Sequence, residues 1–265
     1  MRTIRFIWLL VKLRISHLMV FRLSFFGTFL TDAVLFLMQL LAFQMIFSQV
    51  DSIGGWNQGQ MLIFIGTFSM INSLNMLISL FGIIEIPRKI HDGTLDHYLT
   101  KPVNALLRLS FEHVDPASLL LVIFSGVIIV YGVNVAGVTI TVSLMLLYIA
   151  LVLIMALLWY DMAVILRSLS FFFIVASDID PIERLEGQLL SLNFKIPGVI
   201  YSGFFRMLFY FVLPYGIMAT VPTQALTGTL TLRGLMHAVA MVIIFTAFTL
   251  WFWRCGLRHY KSASS

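Results

Sequence analysis

Residues 116–160 read PASLLLVIFSGVIIVYGVNVAGVTITVSLMLLYIALVLIMALLWY, 45 consecutive positions from Pro116 to Tyr160 without Asp, Glu, Lys or Arg. A bilayer core of roughly 30 Å takes about 20 helical residues at about 1.5 Å each, so this stretch is too long for one crossing and long enough for two. Turn residues cluster at Tyr131-Gly-Val-Asn-Val-Ala-Gly137, which predicts the break between spans three and four there. Working outward, Leu23 to Val50 is interrupted only by Asp32, and Gln60 to Ile84 carries no charge. These are spans one and two, hinged at Asp51-Ser-Ile-Gly-Gly-Trp56. Met207 to Leu232 and Gly234 to Trp253 are two further uncharged stretches, divided by Arg233.

Composition agrees with lipid as the solvent. Of the 265 residues only 11% are charged and 60% are hydrophobic, with 24 Phe and 14 Met. Soluble chains average about 25% charged, so the 17 basic and 12 acidic residues here are too few to cover a water-exposed surface. The net charge of +5 is therefore read for its position along the chain, not as affinity for nucleic acid. Arg2, Arg5, Lys12, Arg14 and Arg22 precede span one, Arg88, Lys89, Lys101 and Arg108 follow span two, and Arg254, Arg258 and Lys261 follow span six. The loops at 51–59 and 131–139 have no Lys or Arg. Basic residues stay on the cytoplasmic side, which puts both termini and the 85–115 loop there and predicts a multi-pass protein of the cell (inner or plasma) membrane. The one cysteine, Cys255, excludes an intrachain disulfide.

Residues 1–22 have a basic start and an apolar middle interrupted by Lys12, Arg14 and Arg22, with Arg5, Lys12 and Ser16 on one helical face, which predicts an uncleaved helix in the headgroup layer. The chain is read as a single membrane domain, 1–265, with six crossings.

Asp178, Asp180, Glu183, Arg184 and Glu186 complicate the fifth crossing, because each such charge at a helix centre costs about 2.5–3.5 kcal/mol. One reading leaves 166–198 in the cytoplasm and makes Val199–Val221 the fifth span. The other buries 168–194 as that span and folds 197–228, with Pro197, Pro214 and Pro222, into a re-entrant helical pair. Charge counting favours the first.

Chemistry-bearing motifs are few. There is no phosphate-binding GxxxxGK[ST] loop, no HExxH and no GxSxG, so the chain by itself is not expected to be an enzyme. His91, Asp92, Asp96, His97 and His113 lie close in sequence, but His91 and His97, six apart, fall on opposite sides of a helix, which favours a solvated loop over a metal site. Asp161 is expected at the interface, paired with a base or water; a proton relay is the sharper alternative. His237 is expected to hydrogen-bond a neighbouring helix. Ser69, Asn72, Ser73 and Met76 recur at three- and four-residue steps, with Asn75 beside them and Gln39 and Gln44 in span one. Such a face lines a substrate path or makes interhelical hydrogen bonds, and both readings stay open.

The loop after span two is EIPRKIHDGTLDHYLTKPVN, Glu85 to Asn104. Pro87 suits the first turn of a helix, Gly93 its C-terminal end, Thr94 the cap of a second helix and Pro102 its stop. Ile86, Ile90, Leu95 and Leu99 give these helices an apolar edge, which suits a groove on a soluble partner or, alternatively, contact with the membrane surface.

At Ile90-x-x-Gly93-x-Leu95-Asp96-x-x-Leu99-x-Lys101-Pro102 the sequence resembles type-2 ATP-binding-cassette (ABC) permeases, the six-span exporter subunits. The turn at Gly54-Gly55-Trp56 and the run Pro197-Gly-Val-Ile-Tyr201 followed by Arg206, Pro214, Pro222 and Gly228 fit the same family. The resemblance implies an all-α fold of six transmembrane helices with an elbow helix at 1–22, a coupling helix and the re-entrant pair. It implies that Ile86, Pro87, Arg88, Ile90, Asp92, Gly93, Leu95, Asp96 and Leu99 dock on a separate ABC ATPase subunit dimer, which holds the ATP and Mg; no cofactor is expected in this chain. It implies a second permease chain with a path between the two, to which Gln39, Ser69, Asn72, Asn75, Asp178 and Glu183 would contribute. The 178–186 charges favour a heterodimer over a homodimer. Membrane lipids are the remaining partner. The alternative function is a secondary transporter or channel driven by an ion gradient.

Overall fold

Asn57 starts the longest helical run among the described residues, Gln58–His91. In the computed structural model, which describes residues 22–172 and 179–260, its side chain accepts from Gln60 N while the Gln60 side chain accepts from Asn57 N. That reciprocal cap satisfies two of the donors a helix start leaves open. The expected elbow helix up to residue 21, Asp178 and the tail from 261 lie outside the described residues, as do the side chains of Gln39 and Glu183.

The described elements are helical. α1 spans Arg22–Phe47 and α2 spans Gln58–Asn75, continued by a π-helical turn Met76–Leu80 and a short helix Phe81–Ile84. Three small helices follow, α3 (Ile86–His91), α4 (Asp96–Leu99) and α5 (Ala105–Glu112). Then come α6 (Ser118–Ala136), α7 (Val142–Ser168) and α8 (Ile179–Lys195). α9 (Gly203–Met207), α10 (Tyr215–Met218) and α11 (Thr220–Leu226) lead to the last helix, α12 (Leu232–His259).

Four helical runs among the described residues are long and apolar enough to cross a membrane: Gln58–His91, Ser118–Ala136, Val142–Phe171 and Leu232–His259. A fifth candidate is the pair Gly203–Val212 and Tyr215–Leu226, bent by 79°. The Val199–Val221 stretch is therefore not one continuous helix: Pro214 stands at the break, where a ring in place of the N–H cannot continue the helix. The turn between α6 and α7 is also later than expected. Helix continues through Tyr131 to Ala136, ends where Gly137 takes φ 67°, and restarts where the Thr141 side chain accepts from Leu144 N. Gly132 and Asn134 are helical because, away from water, intrahelical bonds are the best available partners for their backbone groups.

The tightest helix pair is α2 with α6, and small residues make it so. A Cβ on Gly59 would stand 2.3 Å from the Ala136 nitrogen, one on Gly66 2.8 Å from the Ile129 side chain, and one on Gly132 2.8 Å from the Ile63 nitrogen. In lipid, close backbone approach replaces hydrophobic collapse as the source of cohesion. Buried polar pairs then staple α7 to both neighbours. Thr67 and Tyr148 hydroxyls are 2.7 Å apart, and Asn75 donates to the Ala156 carbonyl at 3.2 Å. On the other side Thr246 donates to the Asp161 carboxylate at 2.5 Å. The main core runs along this α2–α7–α12 axis, from Ile63 and Leu151 through Met155 and Leu158 to Trp253. Ile86 and Leu95 belong to it too.

Candidate functional site

The helical run of span two does not stop at the apolar segment but passes into α3, with Pro87 in the first turn of that helix. α3 ends at Asp92, and Gly93 with φ 69° turns the chain back, a conformation that costs a residue with a Cβ about 1–2 kcal/mol. Leu95 N then bonds the Lys89 carbonyl at 3.0 Å, so α3, the turn and α4 form a closed hairpin. Thr94 does not cap α4 as expected; Leu95 occupies the cap position and no side chain bonds there. α5 begins at Asn104, whose side-chain oxygen accepts from Leu106 N at 3.0 Å and Leu107 N at 3.3 Å.

The apolar edge expected to face a partner is divided by the fold. Ile86 and Leu95 are fully buried in the chain's own core, Pro87 is buried, and Ile90 is half-buried against the same core. Leu99 remains outside at 41% exposure. The reason is geometric: the hairpin folds under the bundle, so its inner edge covers the ends of the long helices. What the hairpin presents outward is mostly polar: Arg88, His91, Asp92, Thr94, His97 and Leu99. Asp92 lies 3.5 Å from the Arg88 guanidinium and 3.1 Å from His91 Nδ1, and the His91 hydrogen bond foremost, with Arg88 beside it, holds its carboxyl below the usual carboxylate range. Asp96 and Gly93 are half-buried at the turn.

Behind that outer face is a polar brace the sequence reading did not include. The Tyr98 hydroxyl stands 2.6 and 2.8 Å from the two carboxylate oxygens of Glu112, and Lys89 Nζ is 3.6 Å from Glu112 Oε2. Lys89 and Arg108 both lie over the Tyr98 ring, at 5.1 and 4.6 Å from its centre. Burial, and then Glu112, push the Tyr98 hydroxyl well above its ordinary titration range, so it stays a proton donor. The only sequence signal was the combination of a Tyr and three charges within 24 residues, without a period that would associate them.

Other expected residues fall as follows. Ser69 and Asn72 are half-buried on α2, Asn72 donating to the Met76 sulfur at 3.4 Å, while Asn75 is buried and turned to α7. A groove of about 230 Å³ between α1 and α2, lined by Leu41, Phe43, Gln44, Phe47, Met61 and Ile65, opens beside this helix. Asp161 is buried, and its carboxylate accepts from the Thr246 hydroxyl of α12 in place of a base. Arg167 instead pairs with Glu186 of α8, and both side chains are almost wholly buried. His237 packs by ring contact against Tyr210 and Phe211, and its Nε2 has no hydrogen-bond partner among the described residues. No group of three His, Cys, Asp or Glu among the described residues is placed to hold a metal ion.

The segment after α8 folds on itself. Gly198 N donates to Thr220 Oγ1 at 2.8 Å, a Cβ on Gly198 would stand 2.2 Å from the Gly216 carbonyl oxygen, and the Tyr201 hydroxyl donates to Asn193 at 3.0 Å. Ile200 abuts the turn after α1, since a Cβ on Gly54 would come 2.6 Å from its side chain.

Long apolar helices joined at one end to a closed, polar-faced hairpin define a multi-pass membrane protein with a built surface outside the apolar zone. The chain belongs to the ABC-2 transporter family: the family model described as ABC-2 family transporter protein matches residues 33–264. It is therefore a permease subunit of an ABC transporter, a type that works in association with an ABC ATPase subunit and is generally not catalytic itself. No curated protein and no solved structure matches the chain.

Proposed function

We propose that this permease is the membrane half of an exporter in which a separate ATPase pair, carrying ATP and Mg, drives efflux by pushing on the 85–115 loop. The observation that supports the reading best is the continuity of Gln58–His91: a helix that carries the polar hairpin at its end is a lever through the apolar zone. In this reading α1, the run from α2 to α3, α6, α7, α8 and α12 are the six crossings, and both termini and the hairpin are cytoplasmic, in line with the basic residues. The 197–226 segment is then re-entrant from outside. Its closure on itself and the contact of Ile200 with the Gly54 turn support this, with Arg167 offsetting Glu186 in the fifth crossing.

The docking face consists of Arg88, Asp92, Thr94, His97 and Leu99, with Ile86, Pro87, Ile90, Gly93, Leu95 and Asp96 shaping it from within. Closed and open ATPase states that contact this face differently shift the permease between inward- and outward-open forms. Two permease chains enclose the path; Ser69 and Asn72 face it, and a distinct second chain would complement the 178–186 charges.

The test is co-purification. Leu99→Asp combined with Arg88→Glu alters only exposed atoms and is expected to reduce the recovered ATPase at least tenfold while membrane insertion and yield of the permease are unchanged. Stoichiometric ATPase in the double variant refutes the assignment. The buried Asp161 carboxylate favours the ion-driven alternative, which requires transport in vesicles under an imposed proton gradient with no ATPase present.

A further inference from the structure

Four observations concern α5, which none of the sequence motifs included. It packs against span two so closely that a Cβ on Gly82 would stand 1.9 Å from the Leu109 carbonyl oxygen. It touches span four through Ser110, whose hydroxyl is 2.9 Å from that of Tyr160. It leads into α6, and the entry of that helix is tied back to span two by Asp115 N, which donates to the Leu77 carbonyl within the π-helical turn at 3.1 Å. And it is joined to the hairpin by the Tyr98–Glu112 contact, with Lys89 and Arg108 against the ring.

We infer that α5 is the element through which displacement of the hairpin reaches spans two and four, and that Tyr98 is the positioning residue that makes hairpin and α5 move as one body. The inference rests on the coupling role proposed for the hairpin. The physical argument is one of stiffness. A four-residue helix such as α4 has no fold of its own, and the connection from Leu99 to Asn104 contains no regular structure, so the chain alone would let the hairpin swing without α5. Tyr98 closes that gap from the middle of α4. Two cations lie over its ring and its hydroxyl meets two carboxylate oxygens, which restrains the side chain. Glu112 lies at the last turn of α5 and Lys89 in α3, so the three hairpin and platform helices share one anionic centre. Glu112 needs those donors, because a carboxylate at the edge of an apolar core is costly without them. Ser110, two residues earlier, faces span four, which completes a route with no flexible step.

Amide hydrogen exchange on the full chain in complex with its co-purified ATPase tests this, with the complex compared empty and trapped with ATP and vanadate. In the unaltered complex trapping is expected to change exchange in both 86–99 and 105–112. In Tyr98→Phe, which keeps a ring under Lys89 and Arg108, the change in 86–99 should persist and that in 105–112 should fall at least twofold. Glu112→Leu removes the same contact from the other side together with the Lys89 ion pair, and should lower the 105–112 response at least as far. The double variant should add nothing to Glu112→Leu, the signature of a contact already lost. An equal response of 105–112 in the single variants and the unaltered complex overturns the inference, and so does the absence of any response there in the unaltered complex. A missing response in 86–99, or no ATPase recovered at all, overturns instead the proposed coupling role on which the inference rests.

Discussion

Two buried or half-buried ion pairs of similar composition sit in very different surroundings. Lys89 and Glu112 are 12% and 27% exposed and share their charges with Tyr98 and Arg108, whereas Arg167 and Glu186 are 3% and 6% exposed among apolar neighbours. The first pair is a network with water within reach; the second joins two elements, α7 and α8, with each charge depending on the other. Loss of one member should cost less at the loop than in the bundle, because Glu112 without Lys89 keeps the Tyr98 hydroxyl and partial contact with solvent, while an orphaned buried charge costs about 3–5 kcal/mol.

The strongest way to break the comparison is Glu186→Leu. It leaves Arg167 uncompensated and should lower stability of the detergent-solubilised chain by about 3–5 kcal/mol, read as a large fall in the midpoint of chemical denaturation. The double change Arg167→Met with Glu186→Leu should recover most of that loss; equal destabilisation by single and double variants would show that the pair matters through shape and not charge. Next in size is Gly82→Val. The Leu109 carbonyl oxygen leaves no room for a side chain, so α5 must separate from span two, and overpacking of this kind costs about 1–3 kcal/mol. Thr67→Val comes last. It removes the hydroxyl facing Tyr148 and should cost about 0.6–2 kcal/mol, in keeping with interhelical hydrogen bonds in lipid. An effect at Thr67 as large as at Glu186 would erase the distinction between a hydrogen bond and a buried charge in this bundle.

Much of the helical layout was legible because lipid imposes length and apolarity on a crossing, and both are countable. Gln58–His91, Val142–Phe171 and Leu232–His259 follow from uncharged runs in that way. The turn at Gly137–Thr141 was also written in the sequence, as a left-handed glycine and a capping threonine, but Tyr131–Asn134 resembled a turn more strongly by composition. The seven-residue spacing of Gly59 and Gly66 on α2 was present and unread; it marks the face that meets α6. What no local pattern could supply are pairs between elements distant in the chain. Glu186 meets Arg167 across 19 positions, and Asp161 meets Thr246 across 85. The hairpin was found by its Pro, Gly and apolar spacing, yet spacing gives the edge and not the direction it faces. That is why Ile86 and Leu95, which read as contacts for a partner, turn out to be core.

The π-helical turn at Met76–Leu80 widens one loop of span two, and each residue of an α-helix advances the chain by about 100° around its axis. The wide turn absorbs one extra residue, so deleting one position between Met76 and Leu80 should let the segment close into ordinary helix with the aim of the hairpin nearly unchanged. Closing it with every residue kept would instead swing everything beyond it by roughly that angle, and Gly82 would then point away from Leu109. The wide turn thus acts as a compass correction for a surface several turns away, separating the aim of the lever from its composition.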